Sequence, residues 1–160
     1  MELNELMVGL AAEVGLGECP ADDTGTYWLK IDSFSVGFTT DETGRTLMVY
    51  TPIGARDEAS AGDLAELLLE LNNLYVGSFG GTVALDRTAG LYFYQRREAL
   101  GDLGKDAFLS LVEDFVNRAE MLKELVGGFS RTHAVAGEIA EKRLAEERSF
   151  GGLSSGLMKV

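Results

Sequence analysis

The chain has 160 residues, 46% hydrophobic and 25% charged, which is the balance of one soluble globular domain with its own core rather than of a disordered or collagen-like chain. Twenty-six acidic residues against fourteen basic ones leave a formal net charge of −12, which repels phosphate backbones and anionic membrane surfaces and excludes nucleic acid and membrane as expected partners. Cys19 is the only cysteine, so an internal disulfide and a thiolate metal cage are excluded, and a reducing, cytoplasmic location is expected.

Met1 to Val14 carries Glu2, Glu5 and Glu13 and no basic residue, unlike a secretory or transit signal. Its Leu3, Leu6, Met7, Leu10 and Val14 recur at helical spacing and predict an amphipathic helix that stops near Gly15 and Gly17. Glu18 to Gly25, with Pro20, Asp22, Asp23 and Thr24, reads as a loop. From Tyr27 the period becomes two. Tyr27, Leu29 and Ile31 alternate with Trp28, Lys30 and Asp32, and Phe34, Val36 and Phe38 with Ser35, Gly37 and Thr39, which predicts a hairpin. Asp41-Glu42-Thr43-Gly44 is a turn, and Leu47 to Tyr50 is a third strand that Pro52 is expected to close.

Ser60 and Asp63 have the spacing of a capping box at the start of a second helix, whose stripe is Leu64, Leu67, Leu68, Leu71 and Leu74. Leu69 lies off that stripe, so this helix buries a second face, either at a subunit interface or within its own domain. After Gly77, Gly80 and Gly81, the stretches Thr82–Asp86 and Leu91–Glu98 flank the turn Arg87-Thr88-Ala89-Gly90 as a hairpin. A third helix places Phe108, Leu111, Val112, Phe115, Ala119, Leu122 and Val126 on one face, with Glu113, Asp114, Arg118 and Lys123 opposite.

The predicted order is α-β-β-β-α-β-β-α, an α+β fold in which helices pack an antiparallel sheet. Gly127 and Gly128 are expected to end it. Residues 127–160 hold five basic residues against four acidic, a net of +1, so residues 1–126 carry −13 of the total. The domain is therefore placed at 1–126, and 127–160 is an extension: a weak helix over Thr132 to Arg148, then a Gly/Ser-rich end.

The chemistry-bearing residues do not combine into a catalytic set, and no enzyme, cofactor or metal site is expected. His133, the only histidine, lies in the extension and reads as solvent-exposed, and one His with one Cys cannot make the usual zinc sets. The pairs Asp22-Asp23, Asp41-Glu42, Asp57-Glu58 and Glu113-Asp114 could serve a metal-assisted hydrolase, but three fall in turns and the fourth on the polar side of a helix. The glycines of 77–81 follow a helix and precede a strand, the reverse of a phosphate loop. Arg96 and Arg97 are adjacent on a strand and point to opposite faces. Eight Phe, five Tyr and Trp28 remain, either as core or as apolar surface for a partner.

Leu67-Leu68-Leu69-Glu70-Leu71-Asn72, a glycine-rich turn, Thr82 to Asp86, Gly90, Leu91-Tyr92-Phe93-Tyr94, a loop with Leu100 and Leu103, Phe108, and Leu111 to Glu120 follow one another. That succession resembles the type III secretion chaperones of the Tir chaperone (CesT-like) family, in text over about residues 60–126 and in element order over the whole body.

The resemblance implies an acidic cytoplasmic homodimer that binds a non-globular N-terminal segment of a secreted effector, keeps it soluble and export-competent, and hydrolyses nothing. The client would add as a strand to a sheet edge while its apolar side chains enter grooves. Carried onto this sequence, Leu3, Leu6, Leu10, Trp28, Phe34, Val36 and Phe38 are the client-contact candidates. Leu69, Asn72, Tyr75, Val83 and Phe93 are the dimer-interface candidates. Beyond residue 126, where most such chaperones would be near their end, the extension is either a tail or a placeholder whose Leu153, Leu157 and Met158 fill the client groove; Gly151, Gly152 and Gly156 favour the tail. The alternative from another class is a regulatory or adaptor domain of the same fold that binds a folded partner.

Overall fold

The computed structural model describes residues 2–154, with side chains as far as residue 143. Among the described residues the elements run α1 (Leu3–Glu13), β1 (Tyr27–Ile31), β2 (Phe34–Thr40), β3 (Thr46–Ala55), α2 (Ala61–Asn72), β4 (Thr82–Asp86), β5 (Leu91–Ala99) and α3 (Lys105–Ser154). The expected α+β order holds. The strands form one antiparallel sheet, β1-β2-β3-β5-β4.

Alternation sorts the sheet into two faces. Leu29, Val36, Phe38, Leu47, Val49, Val83, Tyr92 and Tyr94 point to one face and join Leu3, Leu6, Met7 and Leu10 of α1, Leu64 and Leu68 of α2, and Phe108, Phe115 and Leu122 of α3 in a single buried cluster. All three helices thus pack on one side. The other side carries a row across all five strands, Trp28, Gly37, Tyr50, Gln95 and Thr82.

Asp41 holds the β2–β3 turn, its carboxylate accepting from Thr43 Oγ1 at 2.9 Å, Arg45 N at 3.1 Å and Thr46 N at 3.3 Å. Hydrogen bonds from Thr46 and Thr43 hold that carboxyl well below the usual range. The third strand does not close at Pro52 and runs on to Ala55. Pairing with β2 has stopped at Tyr50, and a bulge falls between Pro52 and Gly54, a setting in which a strand tolerates proline. The bulge turns Gly54 inward opposite Tyr92, and Val126 of α3 occupies the space its side chain would need: a Cβ there would stand 2.5 Å from Val126 Cγ1.

Four further expectations are corrected. Val14 caps the end of α1 half-exposed, not in its buried stripe. Ser60 precedes α2 but makes no capping bond; its hydroxyl donates to Asp57 at 3.2 Å, while Asp63 faces His133 at 3.5 Å. Leu74 leaves the α2 stripe because the helix ends at Asn72. The third helix does not stop at Val126. It continues through Gly127 and Gly128 to Ser154, because Leu125 and Phe129 pack on the core on both sides of the glycine pair and Thr132 Oγ1 donates to the Gly128 carbonyl at 3.0 Å. The helix expected over 132–148 is therefore a continuation of α3. Leu157, Met158 and the side chain of Leu153 lie outside the described residues.

Candidate partner-binding surfaces

Six of the seven client candidates are withdrawn from the surface. Leu3, Leu6, Leu10, Phe34, Val36 and Phe38 all lie in the central cluster, because the helical stripe of α1 and the inward parity of β2 face each other through the core. Trp28 alone is presented, 43% exposed. Its indole N–H donates to the Asp22 carboxylate at 2.9 Å, and its ring stands edge-on to Tyr50 at 5.3 Å, with Tyr50 in turn 6.3 Å from Phe93. Gly37 permits this: a Cβ there would lie 2.7 Å from Tyr50 Cζ and 3.0 Å from Trp28 Cζ3. Asp22 also accepts from the Thr24 hydroxyl at 2.7 Å and from Thr24 N and Thr26 N, and these bonds, Thr24 first, lower its carboxyl to about 2. The loop read as mere punctuation thus positions the tryptophan; Asp22-x-Thr24 was the visible signal.

The five dimer candidates divide. Leu69 and Tyr75 are exposed, at 69% and 59%. Asn72 is engaged within the chain: its amide N–H donates to the Val83 carbonyl at 2.9 Å and its amide oxygen accepts from Val83 N at 2.8 Å, closing the outer edge of β4 at that residue. Val83 is buried, and Phe93 is half-buried beside Tyr50 on the open sheet face, away from α2. The sequence did not single out Leu74, 82% exposed, Val76, 75% exposed, or Leu85 as surface. Leu74, Tyr75 and Phe79 all have positive φ, an uncommon and strained set of non-glycine conformations in so short a stretch. Beside them a groove of about 170 Å³ runs between α2 and β4, lined by Leu68, Leu69, Leu85 and Tyr92.

The polar candidates are held in structural roles. Arg96 donates to Glu98 at 2.7 Å and Asp114 at 3.0 Å, and Arg118 donates to Asp114 at 3.2 Å while lying 4.5 Å over the Phe79 ring. Arg97 points away, as alternation requires. His133 is half-buried rather than free in solvent, stacked 4.6 Å from Phe129. Burial raises the pKa of the Cys19 thiol, which donates weakly to the Trp28 carbonyl at 3.5 Å. Among the described residues no three His, Cys, Asp or Glu side chains gather as a metal would need, and no helix is long and apolar enough to cross a membrane.

A family model described as the Tir chaperone protein (CesT) family matches residues 5–123. No curated protein matches the sequence. Among solved structures, a chain of the ExsC–ExsE complex superposes with a TM-score of 0.67 at 18% identity, over 78% of this chain and 96% of that one. The Yersinia pestis type III secretion chaperone SycH, in complex with a stable fragment of YscM2, gives 0.57 at 20% identity, over 74% and 98%. YbjN of E. coli, described as a putative transcription regulator, gives 0.62 at 12% identity, over 81% and 94%. At such identities these likenesses establish the fold.

Proposed function

The chain belongs to the Tir chaperone protein (CesT) family, and on that premise we propose that it is a cytoplasmic type III secretion chaperone, without catalytic activity, that binds an extended N-terminal segment of a secreted effector and keeps it soluble and export-competent. The observation that carries the reading is where apolar surface remains uncovered. Leu69, Leu74, Tyr75, Val76 and Leu85 cluster at the end of α2 and on β4, while Val8, Val14 and Leu16 are exposed on and after α1 and Trp28 lies on the open sheet face. Patches of this kind mark protein partners.

The two sides serve different partners. A second copy covers the α2–β4 side, and the client approaches β1. Asn72 closes β4 at Val83, whereas β1 is bridged only at its start, by Ala21 opposite Tyr27. The Trp28 carbonyl faces Cys19 on the free side, and alternation turns the Lys30 backbone groups the same way, open to an incoming strand. Ordering such a segment costs conformational entropy, and a preformed acceptor edge limits that cost to the client.

Coexpression with the product of a neighbouring gene tests the proposal. A tight complex in which an N-terminal client segment resists protease supports it; binding only to a folded partner rejects it. The latter outcome would favour the regulatory or adaptor reading, for which the fold shared with YbjN speaks, because fold does not determine function.

A further inference from the structure

A groove of about 400 Å³ lies between the end of α1, the β1–β2 turn and the N-terminal part of α3. Its floor is apolar, with Leu10, Val112 and Val116 buried and Val14 and Leu109 partly uncovered. Its charged rim is Glu13, Asp32 and Glu113, one from each element, and no Lys or Arg lines it. Among the described residues none of the three forms a salt bridge.

This arrangement is unfavourable for the free protein. Glu13 is the last residue of α1, at the negative end of the helix dipole, and no basic residue occupies that last turn. Asp32 occupies the tight β1–β2 turn at φ 51°. Three like charges around a low-dielectric floor repel one another, and a cationic ligand removes that repulsion. Three other grooves gather no such unopposed set of acids: the one between α3 and β3 is lined by Lys123 and Arg131 as well as acids, the α2–β4 groove has no charged lining residue, and the one at Leu16–Pro20 has Glu18 alone.

We infer that this groove takes a basic–apolar stretch of the client, in which apolar side chains alternate with Lys or Arg. An extended chain puts every second side chain on one side, so the apolar set reaches the floor while the cations meet the rim, their methylene stems covering the apolar edge. The inference rests on the chaperone reading and adds the client's chemical class to it.

The test uses the full chain and two labelled peptides of about a dozen residues, one alternating Leu with Lys and the other Leu with Glu. The wild type binds the first and not the second at low salt. The triple variant Glu13→Gln/Asp32→Asn/Glu113→Gln weakens binding about tenfold, a difference that narrows as salt rises. A control of equal charge, Glu42→Gln/Glu66→Gln/Asp102→Asn, stays within about twofold, and thermal melts show that both variants fold. Equal loss in both variants, or equal binding of both peptides, overturns the inference. So does a groove triple that shifts sedimentation, since the occupant would then be a second copy. If coexpressed client remains protected equally by both variants, the groove inference fails and the chaperone reading stands; if the wild type captures no client, the chaperone reading itself fails.

Discussion

Gly54 is the point at which the sheet admits α3, and replacing it isolates one contact. A Cβ added there would stand 2.5 Å from Val126 Cγ1 and 3.4 Å from Val126 Cβ, against ordinary carbon contacts of about 3.5–4.0 Å. Gly54 is not among the positive-φ glycines, so alanine brings no backbone strain, and restricting the unfolded chain would by itself stabilise by about 0.4–1 kcal/mol. Overpacking must outweigh that term. Val126 is 2% exposed on a helix tied to the core over several turns, so the contact cannot relax outward, and a net loss of about 1–3 kcal/mol is expected for Gly54→Ala.

Val126→Ala alone removes buried methyls and costs about 1–3 kcal/mol. In the double variant the new methyl enters the vacated space, so the combined loss falls short of the sum by about 1 kcal/mol or more. Urea unfolding of the four proteins at one concentration, followed by circular dichroism, gives all the terms. A Gly54→Ala variant as stable as the wild type, or a double variant equal to the sum, would refute this account of the β3–α3 contact.

The Asp41 turn sets a pH dependence. Its carboxyl is lowered in the folded state below the ordinary 3.8, so its stabilisation is complete above about pH 4 and is lost as pH falls through the lowered value. The gap in urea midpoint between wild type and Asp41→Asn therefore narrows as the pH is lowered from 5 toward 2. Asn72→Ala strands the Val83 N–H and carbonyl and uncovers a sheet edge, with an expected loss of about 1–3 kcal/mol and increased light scattering from edge association. Leu69→Glu places a charge at a residue 69% exposed in the monomer; sedimentation should show a wild-type dimer and a variant monomer whose fold is intact, and a monomeric wild type would remove the proposed interface.

The client and dimer sets show how far pattern reading reaches. Leu6, Val36 and Phe38, carried over from the resemblance as client contacts, lie on periodicities that identify an apolar face, and an apolar face is what a core uses first. Trp28, from the same set, is exposed because it opposes that parity. Leu74 and Val76 were not legible as surface, since their exposure follows from α2 stopping at Asn72 and the chain turning through left-handed conformations, neither of which the leucine spacing records. The Gly127-Gly128 pair looked like an end because glycine weakens an isolated helix, yet core contacts on both sides carry α3 across it.

Local physics written along the chain therefore determined the order of elements, the hairpin that begins at Tyr27, the turn at Asp41–Gly44, the acidity of the body and the apolar faces from which the core is drawn. Each depends on residues a few positions apart. The tertiary structure decided the joining of β3 to β5, the closing of β4 by Asn72, the acid-rimmed groove beside α1 and the apolar side chains left without cover. Those depend on which faces meet, and exposure is what remains when every available partner within the chain has been used.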